Sequence, residues 1–284
     1  MRRKAFTLIE LLVVIAIIAT LISILLPALS AAKELTNVAK CQAALGELGK
    51  TATMYSNAND DSGYGAFPTQ PWHLGWTYNG VNVTLISEFI YGGFQTSIPS
   101  PDYGTNTDIY KYLTEWRPYN KYIAPGMTGK ASLKNYICPS DKSNTTPLVG
   151  SSTDPIVEDR YSSWQVNGSS YAINWYWHED PLFGDGCCYQ DLPAMSRYGS
   201  LMLKDKVGGA AAEFVIHMEN TMNSYMYDAQ PPGAVPPSVL QKLGYGWHHK
   251  FSMYTMGFYD GHADYKFIDT RYTRGQNWNI RPGR

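Results

Sequence analysis

The residues with the most chemical capacity sit late in the chain: His248 and His249, then Asp260, His262 and Asp264. Imidazole nitrogens with carboxylate oxygens suit zinc, and in a hairpin His262 and Asp264 would share one face because alternate strand residues point the same way. Turn chemistry competes at the same positions. Asp260-Gly261 is a turn dipeptide and His248-His249 a pair leading into a strand, so structural roles are expected and His249, Asp260, His262 and Asp264 stand only as metal candidates. Four cysteines, Cys41, Cys138, Cys187 and Cys188, permit full pairing in an oxidising compartment, but their connectivity is not readable. Without a Cys-x-x-Cys pair, structural thiols or disulfides are expected over a zinc site. No Gly-x-Ser-x-Gly elbow, His-Glu-x-x-His motif or phosphate-binding glycine loop is present, so the chain reads as a non-enzyme.

A different kind of chemistry is posed by Glu10, the lone acid of the apolar run Phe6 to Leu26. A carboxylate within hydrocarbon costs roughly 2.5–3.5 kcal/mol on insertion scales, so it marks a functional position. A helix of that length rises about 30 Å, the thickness of a bilayer core. The leader Met1-Arg2-Arg3-Lys4-Ala5 carries three cations, and no other follows before Lys33, which places the N-terminus in the cytoplasm and exports the rest. A secretory signal has a shorter apolar core of about 7–15 residues with a small-residue cut site behind it; here the small residue, Ala5, lies in front. A retained anchor is therefore expected.

Beyond Pro27 the apolar pattern resumes at Ala28, Ala31, Leu35, Val38, Leu45, Leu48, Ala52 and Tyr55, near a 3.6-residue repeat. This predicts one kinked helix over Phe6 to Tyr55, amphipathic between Lys33 and Lys50, with Gly46 and Gly49 packed closely on a sheet or helix. Short helices are expected at Asn79 to Tyr91 and Ile109 to Trp116, and surface loops at Thr96 to Thr107 and Asp141 to Asp159. Strands are expected at Tyr171 to Trp177, Glu213 to Met218, Tyr254 to Tyr259 and His262 to Ile268, the last two joined through a type I′ turn at Asp260-Gly261. The fold class is α+β: a long helix, membrane-spanning in its first half, on an antiparallel sheet with large loop insertions.

The segment Lys4-Ala5-Phe6-Thr7-Leu8-Ile9-Glu10-Leu11-Leu12-Val13-Val14 resembles the signal of type IV pilins and type II secretion pseudopilins. The resemblance implies a pilin-like fold, cleavage by a prepilin peptidase between Ala5 and Phe6, N-methylation of Phe6, and assembly with other pilin-like subunits in which Glu10 compensates the new amine. Glycine is usual before the cut, so Ala5 departs from the pattern. His249 and Asp260-Gly261, with ten intervening residues, resemble the His, nine residues, Asp-Gly signature of a subgroup of large pseudopilin-like proteins. Tyr136-Ile137-Cys138-Pro139-Ser140-Asp141, and Cys41 with Leu45 and Leu48, are similar to other positions of that subgroup. The family also makes calcium possible, and Asp264, Asp269 and Glu219 offer the oxygen ligands it needs, without EF-hand spacing.

The chain thus divides into a leader, 1–5, a transmembrane and amphipathic helix, 6–55, and an exported globular domain, 56–284. Net charge is −1, and −4 once Arg2, Arg3 and Lys4 are removed, so nothing in the balance favours nucleic acid. The expected function is a structural subunit of a pseudopilus or type IV pilus-like fibre serving type II secretion-like export, anchored in the inner membrane before assembly. The alternatives are a glycan-binding surface protein on the same anchor, with Trp72, Trp76, Trp164, Trp175 and Trp177 as stacking candidates, and a tethered hydrolase.

Overall fold

A computed structural model describes residues 7–59, 76–78, 81–83, 89, 91–98, 113–126, 133–146, 156–158, 160–174, 176, 210–226, 229 and 243–281. Helix α1, Leu8–Asn59, runs through Pro27 without interruption and ends one turn later than the sequence pattern suggests. From Leu8 to Lys33 every side chain is exposed. Burial starts at Val38 and continues through Cys41, Leu45, Leu48, Ala52 and Tyr55, steps of three and four that keep one stripe on the rest of the chain. Leu35 is 67% exposed, so the buried stripe does not begin at Ala28 as its periodicity implied. Among the described residues, the first hydrogen bonds from α1 to distant segments come from Glu34 and Asn37.

That stripe lies on a four-stranded antiparallel sheet of order β5 (Tyr171–Ile173), β6 (Val215–Glu219), β7 (Met253–Phe258), β8 (Ala263–Phe267). The helix-on-sheet α+β layout is the expected one. Gly46 and Gly49 allow the close crossing: a Cβ on Gly49 would lie 2.7 Å from the Phe258 carbonyl oxygen and 3.0 Å from Gly261 Cα. The β7–β8 hairpin forms where expected, with a different turn. Phe258 N–H donates to the His262 carbonyl and Gly261 N–H to the Phe258 carbonyl, while only Gly261 of the Asp-Gly pair has positive φ. This is a three-residue loop with a glycine bulge, not a type I′ turn, because Asp260 spends its carboxylate on His262 instead of adopting positive φ.

Smaller elements surround the sheet. Val81–Val83 (β2) pairs with Trp76–Tyr78 (β1), so this part of the segment expected to be helical is a strand, and the described Phe89 and Tyr91 lie in turns. Asn144–Thr146 (β3) and Ile156–Glu158 (β4) pair within a stretch expected to be loop. Of Ile109 to Trp116, the described end is a 3₁₀ turn at Thr114–Trp116. Short helices follow at α2 (Asn120–Ile123), α3 (Ser163–Asn167) and α4 (Asn220–Tyr225), and β9 (Arg274–Gly275) pairs with β10 (Trp278–Asn279). Most of Thr96 to Thr107 lies outside the described residues.

The core has two parts. Between α1 and the sheet lie Cys41, Leu45, Leu48, Tyr55, Tyr91, Tyr119, Tyr136, Tyr171, Phe214 and Ile216; the opposite face holds Val215, Met218, Met222, Tyr254, Met256, Phe258 and Trp278. A register shift between Val215 and His217 is a bulge in β6, which lets Ile216 and His217 follow each other on the helix side. His217 sits among Tyr91 and Tyr119, ring centroids 5.0 and 5.6 Å away, with no hydrogen-bond partner for either nitrogen among the described residues. Burial drives its pKa down to about 3, so it is neutral.

Candidate functional site

The first candidate surface is the bare half of α1. Leu8, Ile9, Leu11, Leu12, Ile15, Ile18, Leu21, Ile22, Leu25 and Leu29 are all about half exposed or more, with apolar side chains around the whole circumference. The hydroxyls in this stretch are satisfied internally: Thr20 donates to the Ala16 carbonyl and Ser23 to the Thr20 carbonyl, as a lipid environment demands. It is the one helix among the described residues long and apolar enough to cross a membrane.

Glu10 lies at its start in a capping box that the sequence reading missed, although Thr7-Leu8-Ile9-Glu10 spells its signature. Its Oε2 accepts from the Thr7 backbone N–H and hydroxyl, each at 2.8 Å, while the Glu10 N–H donates to Thr7 Oγ1 at 3.3 Å. Within a single chain, the acid therefore has a local partner. Ala5 and Phe6, the expected processing residues, lie outside the described residues.

The second site is the junction where α1 meets the sheet. A disulfide joins Cys41 on α1 to Cys138, with Cα atoms 5.4 Å apart. Beside it, buried His248 places Nε2 at 3.8 Å from Cys138 Sγ and Nδ1 at 2.5 Å from Glu34 Oε1. Glu34 also accepts from Ser140 Oγ at 2.8 Å and, on its other oxygen, from Asn37 Nδ2 at 3.3 Å. Burial raises the Glu34 carboxyl, but donation from His248, Ser140 and Asn37 outweighs it and holds the group below its ordinary value. Glu34 is thus ionised and accepts only, so His248 Nδ1 carries the proton.

Two buried acids hold the walls of this junction. Glu219 accepts from Thr221 Oγ1, from both the N–H and the hydroxyl of Thr255, and from the Trp247 N–H, which fixes the turn bearing His248. Burial raises its pKa against those donors. Gly246 is required there, since a Cβ would lie 2.2 Å from the Met253 carbonyl oxygen and 2.5 Å from Glu219 Oε1. Asp141 accepts from Ser170 Oγ and from the first N–H groups of α3, at Ser163 and Trp164; burial nonetheless pushes it up to about 7. The run Cys138 to Asp141 therefore binds α1 through Cys138 and Ser140 and α3 through Asp141.

The metal candidates are dispersed among other partners. His249 is exposed with φ 58°, Asp260 pairs with His262 at 2.6 Å, His262 stacks on Phe258, and Asp264 pairs with Lys266 at 3.1 Å. Of the oxygen donors considered for calcium, Asp269 is clamped by Arg271 and Glu219 by the donors above. Among the described residues, the group of potential ligands that does converge is Cys41, Cys138 and His248. Spacing had no means of finding it, because the three come from distant segments. Of the stacking candidates only Trp164 has a described side chain; it is half-buried against Phe94, ring centroids 6.3 Å apart. Cys187, Cys188, Trp72, Trp175 and Trp177 lie outside the described residues.

Residues 1–26 match the family model of the prokaryotic N-terminal methylation motif. That motif is the prepilin-type signal of type IV pilins and pseudopilins, and the long N-terminal helix on an antiparallel sheet is a pilin-like layout. No curated protein and no solved structure matches the chain.

Proposed function

We propose that the chain is a membrane-inserted precursor, cut between Ala5 and Phe6 by a prepilin peptidase and methylated on Phe6. It then assembles with other pilin-like subunits into a pseudopilus or type IV pilus-like fibre serving type II secretion-like export. Before assembly its N-terminus is cytoplasmic and its globular part lies outside the inner membrane. The work is structural, not enzymatic.

The observation that carries this reading is the coincidence of the methylation motif with a helix left apolar on all sides from Leu8 to Leu29. Such a surface is stable only in lipid or in a bundle of its own kind. In the bundle Glu10 leaves Thr7 and compensates the Phe6 amine of a neighbouring subunit. The test is paired: mass spectrometry of the mature N-terminus should find methylated Phe6, and Glu10→Ala should yield an inserted protein absent from sheared fibres. A mature chain starting well downstream, or normal fibre entry of Glu10→Ala, overturns the proposal.

A further inference from the structure

We propose that, once the Cys41–Cys138 bond is reduced, Cys41, Cys138 and His248 form a zinc-binding site at the helix–sheet junction. Their ligand atoms lie within 4.8 Å of one another and all three residues are buried. His248 is already set for the task. Its Nδ1–H is committed to Glu34, which leaves Nε2 as the lone pair facing Cys138 Sγ at 3.8 Å. Against a disulfide that lone pair meets a sulfur with no proton to give; against a metal it becomes a ligand.

The spacing fits. Ligands at about 2.3 Å for sulfur and 2.0 Å for nitrogen around a tetrahedral ion are about 3.5 Å apart, so His248 and Cys138 need move only by tenths of an ångström. Reduction frees the two sulfurs to separate to their own tetrahedral distance. Two thiolates and an imidazole select zinc over magnesium or calcium, and a carboxylate on the far ring nitrogen is the usual outer partner of a zinc-bound histidine. The protein supplies three ligands, and a water completes the fourth position.

The chemistry balances with a dithiol as reductant. The dithiol gives two electrons and two protons to the Cys41–Cys138 bond and leaves as its own disulfide, and zinc then displaces both thiol protons to solvent. Reoxidation by a disulfide donor removes the ligands and expels the ion. The junction therefore has two exclusive closed states, covalent and metal-bound, each tying α1 to the sheet. This inference does not depend on the fibre reading.

The test uses the full chain in detergent with Cys187 and Cys188 changed to Ser, so that only two sulfurs report. After reduction and anaerobic desalting it is titrated with Co2+, then Zn2+. One equivalent of cobalt with a thiolate-to-cobalt charge-transfer band, displaced by zinc and absent from the oxidised chain, is expected. His248→Ala should lose tight binding, His248→Cys should restore it with a stronger thiolate band, and Glu34→Gln should weaken it about 10–100-fold with the band intact. No thiolate band in the reduced chain, equal binding by the oxidised chain, or unchanged affinity in His248→Ala overturns the proposal.

Discussion

His248 Nδ1 lies 2.5 Å from Glu34 Oε1 across a separation of 214 residues, and this contact locks the helix to the sheet just past the apolar span. Glu34 lies five positions beyond Leu29, a rise of about 7.5 Å, so in the proposed membrane-inserted form the lock would sit close above the bilayer. Glu34→Ala removes the acceptor of both His248 and Ser140, and hydrogen bonds to a charged group are worth about 1.5–3 kcal/mol. We expect a loss of that order in urea unfolding of the full chain in detergent, with insertion unaffected. Because the folded carboxyl is held below its unfolded value, the contribution is fully present above the ordinary carboxylate value of 4.5 and is lost as pH falls through the lower folded value. The wild type should therefore lose its advantage over Glu34→Ala in acid; a constant difference down to pH 3 would contradict this.

Much of this architecture was legible, for identifiable reasons. The span and the stripe from Val38 to Tyr55 follow from periodicity, which depends on one helix and its immediate environment. The β7–β8 hairpin follows from Asp260-Gly261 between two β-rich runs. The junction was not legible, since Glu34, Cys41, Cys138 and His248 meet only through tertiary packing, although each residue type was noticeable alone. Val81–Val83 misled because a three-residue strand is too short to show alternation. Asp141 gave no sign of capping α3, whose own sequence box is Ser162 and Gln165.

His217 makes the fold acid-labile. Its folded pKa is about 3 against 6.5 for an ordinary histidine, so between those values the unfolded chain binds a proton that the folded chain refuses, and stability falls as pH drops through that window. At pH 5 the penalty is about 2 kcal/mol relative to pH 7. His217→Phe, which keeps a ring between Tyr91 and Tyr119, should lose about 2 kcal/mol less than the wild type between pH 7 and pH 5 in urea titrations. Equal pH dependence in the two proteins would show that His217 is protonated in the native state.

Gly49 and Gly46 should respond differently to the same substitution. Alanine gains about 1 kcal/mol of helix propensity at either position. At Gly49 the new Cβ meets backbone at 2.7 and 3.0 Å, atoms that move only with the hairpin, and such overpacking costs about 1–3 kcal/mol. At Gly46 the nearest atom is the Gly261 carbonyl oxygen at 3.2 Å, so a small shift suffices. Gly49→Ala should destabilise by about 1–2 kcal/mol and Gly46→Ala should be near neutral. A stabilised Gly49→Ala would mean that helix and hairpin lie further apart in solution.

Thr7→Ala separates the capping contact of Glu10 from the assembly role proposed for it. The capping box joins Thr7 and Glu10 within one helix, whereas the proposed assembly contact would use the Glu10 carboxylate alone. Losing a threonine N-cap costs about 0.5–2 kcal/mol, felt in the first turn, which lies far from the buried core. Thr7→Ala should therefore leave urea unfolding of the globular part unchanged and still enter sheared fibres, while Glu10→Gln, which keeps much of the cap geometry but not the charge, should be depleted from them. If Thr7→Ala fails as completely as Glu10→Gln, the helix start and not the charge of Glu10 governs incorporation.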